Sequence, residues 1–257
     1  WGGTWADAEK VLPDDGVGNP SGNPGGQDDW MCWAATASNI LEWTGWHGPG
    51  GLTNADAIFK YYQDHWTDYG LSNFDHGSPW KWWFDGISVS PGETQVDVPG
   101  GGFFPTADFH DYYHEEWDNP KVMSAVDEFL RAGYGTTLSV GWWLSPRHEV
   151  TVWGFEYDET APNYYTGIWI TDSDDDCDNP PYPDRLRYYP VKFSSANGGN
   201  WYVPWVDGSE PLESDYLTDA RALGRNPDCA VIPAPAAILL AALGTCAVPW
   251  LRRRGTL

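Results

Sequence analysis

The stretch DDWMCWAATASNILEW, residues 28–43, decides the reading of this 257-residue chain. It holds no Pro or Gly, it is rich in Ala, and Gly45 follows it as a stop, so it predicts a helix from Trp30 to Trp43 with Asp28 or Asp29 as its cap. Cys32 then falls in the first turn, where free backbone N–H groups and the positive end of the helix dipole stabilise a thiolate. Upstream, residues 13–29 are rich in Pro, Gly and Asp and read as an irregular arm. Downstream, NADAIFKYYQDH (54–65) and Pro120 to Ala132 predict two further helices, the latter stopping at Gly133. Residues 66–117 read as long loops with short elements.

The period then changes from helical to alternating. TTLSVGWW from Thr136, HEVTVWGFEYD from His148, GIWITD from Gly167, RLRYYPVKF from Arg185 and NWYVPWV from Asn200 all predict strands. Helices followed by an antiparallel sheet make an α+β fold, and no repeat of fixed period occurs. Two domains are expected, a main body over 1–226 and a C-terminal segment over 227–257. The chain opens at Trp1 without an initiator Met, which is the pattern of a fragment or of a product processed after export.

Charge narrows the function. With 37 acidic and 14 basic residues the formal net charge is -23, which excludes a protein that tracks a nucleic-acid backbone. The four cysteines form no CxxC pair, so a zinc knuckle is excluded, while Cys177 and Cys229 remain candidates for a bridge.

His148 is the natural base to partner Cys32, because it opens a strand. Asp172 and Asp174 follow at the end of the next strand, so an antiparallel hairpin brings a carboxylate to the imidazole. The order Cys, His, Asp, with one residue on a helix and two on a sheet, matches papain-like proteases in plan.

Three blocks, DDWMCWAATASNILEW, RHEVTVWGFEYD and IWITDSDDD, together resemble the IdeS/Mac family of cysteine endopeptidases. The resemblance covers roughly residues 27–205. It implies a papain-like fold, Cys32 as nucleophile, His148 as base, Asp172 orienting the ring and Asp174 supporting it. It implies no cofactor, and its substrate is a protein or peptide. The family's upstream lysine falls on Gly22 here, no lysine lies between Lys10 and Cys32, and Gln27 is the available oxyanion donor. The tail, VIPAP, an apolar run from Ala236 to Leu251 and Arg252–Arg254, resembles a PEP-CTERM sorting signal. That implies export, processing by an exosortase-type enzyme, and attachment to the cell surface or membrane through the C-terminal segment, or release.

Other readings compete. Asp172, Asp174, Asp176 and Asp178 alternate and would suit Ca2+ in a non-catalytic module, although the Gly and Glu of an EF-hand loop are missing. Trp80, Trp82, Trp83, Trp142, Trp143, Trp201 and Trp205 would suit a carbohydrate platform, or core packing. His110 and His114, with Glu115, form a metal-like pair without an HExxH motif, and ordinary histidines look the same.

Overall fold

The structure is a computed structural model, and it describes residues 5–10, 28, 30–66, 77–86, 98–141, 148–161, 163–174, 185–195, 199–204 and 216–229. Two units separate: Ala6–Asn226, and the two chain ends, Trp1–Trp5 with Pro227–Leu257. The fold described here is that of Ala6–Asn226.

Helix α1 runs Cys32–Thr44 and ends where expected, at Gly45 in the left-handed conformation (φ 80°). Its start differs from expectation. Met31 is the N-cap and no side chain caps it. The Asp28 carboxylate instead accepts from Gln63 Nε2 at 2.8 Å, and its carbonyl accepts from the Met31 N–H. Nearly every residue of α1 is buried, with Ala34, Ala35 and Ala37 fully so, because the helix lies between other helices and a sheet. Helix α2 is Ala55–His65, capped by Asn54 through the Ala57 N–H. Helix α3 is Ser78–Asp85, and α4 is Val122–Arg131 after a 3-10 turn at Asn119–Lys121.

Eight strands are described: β1 Tyr113–Glu116, β2 Gly135–Val140, β3 His148–Tyr157, β4 Tyr165–Thr171, β5 Arg187–Pro190, β6 Lys192–Ser194, β7 Asn200–Tyr202 and β8 Leu217–Leu223. Six form an antiparallel sheet in the order β1-β8-β2-β3-β4-β5, and β6 pairs with β7. The α+β architecture with helices on an antiparallel sheet is therefore as expected.

Two apolar cores flank the sheet. Residues of α4 such as Val122, Val126 and Phe129 pack with Leu138, Val150, Val152, Ile168 and Ala220. On the other side α1, α2 and α3 enclose an aromatic core of Trp33, Trp80, Trp82, Trp83, Tyr62 and Phe84. Helix α1 approaches β2 so closely that a Cβ on Gly135 would meet Ile40 at 2.8 Å.

The α1-facing side of the sheet is polar. Thr36 Oγ1 donates to the Glu149 carbonyl at 3.1 Å, and Asn39 Nδ2 donates to Thr151 Oγ1 at 3.0 Å. Deeper in, Arg221 Nη1 lies 2.7 Å from Asp219 Oδ1 and 3.2 Å from Glu149 Oε1. Ser139 Oγ links the two carboxylates, and Trp117 closes over the guanidinium at 4.6 Å. Burial pushes the Glu149 carboxyl up, partly opposed by Arg221.

Candidate functional site

The site assembles where β3 begins and β4 ends. Thr151 pairs with Thr171, and carrying that antiparallel register onward brings residues 172–174 alongside 148–150. His148 Nε2 donates to Asp172 Oδ1 at 2.7 Å, and its Nδ1 lies 3.7 Å from Asp174 Oδ2. The His148 side chain is 26% exposed and that of Asp172 10%, so the ring is more open to solvent than its carboxylate partner. Asp172 Oδ1 also accepts the Asp174 backbone N–H at 3.0 Å, which fixes the carboxylate.

A buried N-terminal strap completes the surroundings. Ala8 N–H donates to Asn39 Oδ1 at 2.9 Å, Thr171 Oγ1 donates to the Ala6 carbonyl at 3.1 Å, and Lys10 N–H donates to the Ser173 carbonyl at 3.2 Å. Lys10 Nζ then sits 2.6 Å from Asp174 Oδ1. No signal in the sequence marked Lys10, because it meets the site only through tertiary contact.

Charge follows from this geometry. Burial alone disfavours the charged imidazole, but the Asp172 carboxylate, by charge and hydrogen bond, outweighs it and holds His148 well above its ordinary range. Cys32, the first residue of α1, acts on the ring in the same direction through a hydrogen bond and its charge. Burial likewise opposes ionisation of Asp172, yet His148, the Asp174 N–H and Lys10 together hold it below the usual carboxylate range.

His148, Asp172 and Asp174 have ligating atoms within 4.8 Å of one another, which among the described residues is the grouping able to offer a cation three ligands. Each carboxylate already holds a positive partner, so a metal would have to displace both the imidazolium and Lys10. The arrangement suits proton exchange better than metal binding. His110 and His114 do not join any such grouping among the described residues, and His114 stacks on Tyr134 at 4.6 Å.

No protein-family model matches the chain, and no curated protein matches it. The resemblance to the IdeS/Mac family is thus without support beyond its motif blocks, and the cysteine endopeptidase drawn from it is corrected. The cluster of gathered ligating atoms consists of His148, Asp172 and Asp174 and does not include the Cys32 sulfur. Cys32 is a free cysteine, 8% exposed, and it is assigned no role as nucleophile. With the peptidase go its protein substrate and the oxyanion role of Gln27, which lies outside the described residues.

The sorting tail is corrected as well. Among the described residues no helix is long and apolar enough to cross a membrane. Membrane anchoring through such a helix is thus corrected for the described residues; residues 230–257, which hold the apolar run and the Arg cluster, lie outside them. The carbohydrate platform fails on burial. Trp80, Trp82 and Trp83 are fully buried and Trp201 is 5% exposed, whereas Trp142, Trp143 and Trp205 lie outside the described residues. Asp176, Asp178 and Cys177, on which the calcium and bridge readings depend, also lie outside them.

Proposed function

We propose that His148 and Asp172 form an acid–base site, in which the imidazole exchanges a proton with a bound group and Asp172 fixes the ring and stabilises its charged form. The 2.7 Å contact between Nε2 and a nearly buried carboxylate, on a ring that still reaches solvent, carries this reading. A general acid–base group needs that combination: an oriented ring, a partner for its charge, and an open approach. Asp174 belongs to the site as the second carboxylate near the ring. Cys32 belongs to it as a neighbour that shares a hydrogen bond with the imidazole.

A finer fold reading goes with the proposal. The layout of α1 against β2 and β3, with Cys32 at the helix start, supports a papain-like plan as architecture alone. The division of the chain into a site-bearing body, 1–226, and a C-terminal segment, 227–257, is part of the same proposal.

Activated nitrophenyl esters are suitable probes, since their cleavage reports a poised imidazole without requiring a matched pocket. At a pH above the His148 midpoint, where the ring is neutral, the full chain should cleave them faster than free imidazole at equal concentration. H148Q should lose at least about 10-fold and D172N should lose a smaller part, in line with general acid–base contributions. Equal rates for wild type and H148Q would overturn the proposal.

A further inference from the structure

We infer that the buried polar face of the sheet binds one internal water molecule, held between Glu149 Oε2, Thr137 Oγ1 and Thr151 Oγ1. The water ties β2 to β3 next to His148, the residue that opens β3. This binding site is separate from the acid–base site and belongs to the scaffold that carries it.

Antiparallel register sets six polar residues side by side on the α1-facing surface: Thr151 and Glu149 of β3, Thr137 and Ser139 of β2, Arg221 and Asp219 of β8. All are buried, Glu149 at 5% exposure and Thr137 at 0%. Alternate positions on the opposite face, Leu138, Val150 and Ala220, are apolar and pack with α4. A polar layer buried this deeply has to be satisfied from within. Most of it is. Asn39 Nδ2 donates to Thr151 Oγ1, and Ser139 Oγ and Arg221 Nη1 both serve Glu149 Oε1. Two oxygens of the layer are left over: Glu149 Oε2 and Thr137 Oγ1 have no hydrogen-bond partner among the described residues. The register makes them neighbours. To bring Oε1 within 3.2 Å of Arg221 Nη1 the Glu149 side chain must cross β2, and Thr137 is the β2 residue paired with both Arg221 and Thr151. A buried carboxylate oxygen and a buried hydroxyl left unmet are costly, and a water with two to four polar partners meets both. Thr137 Oγ1 donates to it. Thr151 Oγ1 accepts from Asn39 and so keeps its own proton for the water, which in turn donates to Glu149 Oε2. A metal cation is disfavoured there, because the Arg221 guanidinium already lies against the same carboxylate.

The test uses the full chain and two nearly isosteric variants. Relaxation dispersion of water oxygen-17 counts the waters that stay bound longer than the protein takes to tumble. T137V removes one of the three partners, so the dispersion amplitude should fall by about one long-lived water. T136V removes a hydroxyl from the opposite face, where Thr136 pairs with Val152 and Ala222, and should leave the amplitude as in wild type. In wild type the methyl groups of Thr137 and Thr151 should both show cross-relaxation with water, and in T137V that of Thr151 should disappear. An amplitude equal in wild type and T137V overturns the inference even if the cross-relaxation is seen, because an exchanging hydroxyl would then be its source. An equal fall in T136V overturns it as well, since the lost water would not depend on this face. Should T137V fail to fold, wild type decides alone: no cross-relaxation between water and the Thr151 methyl overturns it.

Discussion

Replacing Arg221 by Met removes the cation that serves two buried carboxylates. Arg221 is 1% exposed and Asp219 0%, and the guanidinium reaches Asp219 at 2.7 Å, Glu149 at 3.2 Å and Ser139 Oγ at 2.9 Å. Two unit charges about 4 Å apart attract by about 4 kcal/mol at an effective dielectric of about 20. Desolvation of three ions cancels most of the gross attraction of two such pairs, so the group adds little net stability. Breaking it is another matter. Met fills similar volume but leaves Glu149 and Asp219 facing each other through Ser139, and one of them must take up a proton. The loss on removing one partner of a buried ion pair is about 3–5 kcal/mol. With a urea m-value of about 2–3 kcal/mol/M, the midpoint should fall by about 1–2.5 M. The neutral triple variant E149Q/D219N/R221M removes every charge together and should lose less than half as much. Tryptophan fluorescence in urea reads both. A midpoint for R221M within about 0.3 M of wild type, or a triple variant worse than the single one, would refute the reasoning.

Other outcomes follow from the same physics. Asn39→Ala strips the strap of its hydrogen bond to α1 and leaves Thr151 without its Asn39 donor; it should cost about 1–3 kcal/mol and speed hydrogen exchange at the Ala8 amide. Gly101→Ala would put a methyl carbon 2.2 Å from the Trp82 carbonyl oxygen, so it should destabilise by about 1–3 kcal/mol, read by thermal unfolding. The stability of D172N relative to wild type should depend on pH with a defined sign. Asp172, held low, contributes stability above its unfolded value near pH 4, and this is lost as pH falls through its folded value. His148, held high, contributes fully below its unfolded value near pH 6.5, and this is lost as pH rises through its folded value. The gap between variant and wild type should therefore be widest between about pH 4 and 6.5, and a gap constant from acid to alkaline pH would contradict it.

Part of this was legible in the sequence. Helix α1 shows itself through its Ala-rich run and Gly45, and the β3–β4 hairpin through alternation. The hairpin register is local, so Asp172 could be placed near His148 before any tertiary contact was known. Strand β8 was missed. Its sequence LTDARAL hides the alternation, because Asp219 and Arg221 point into the fold, where they satisfy each other. Helix α3 was missed because SPWKWWFD reads as loop; its Pro79 sits in the first turn, where no N–H is needed, and its tryptophans face the core. Lys10 was invisible for a different reason, since only the packing of the strap brings it to Asp174. The motif blocks around Cys32 and His148 pointed toward a peptidase that neither the gathered side chains nor any matched family supports.

The most direct measurement is the pH titration of the His148 ring in the full chain by nitrogen-15 correlation spectroscopy, assigned by loss of its signals in H148Q. The account predicts a midpoint well above the ordinary imidazole value of about 6.5, falling by about one pH unit or more in D172N as the Asp172 charge is removed. A midpoint at or below the ordinary value, or one that D172N leaves in place, would contradict it.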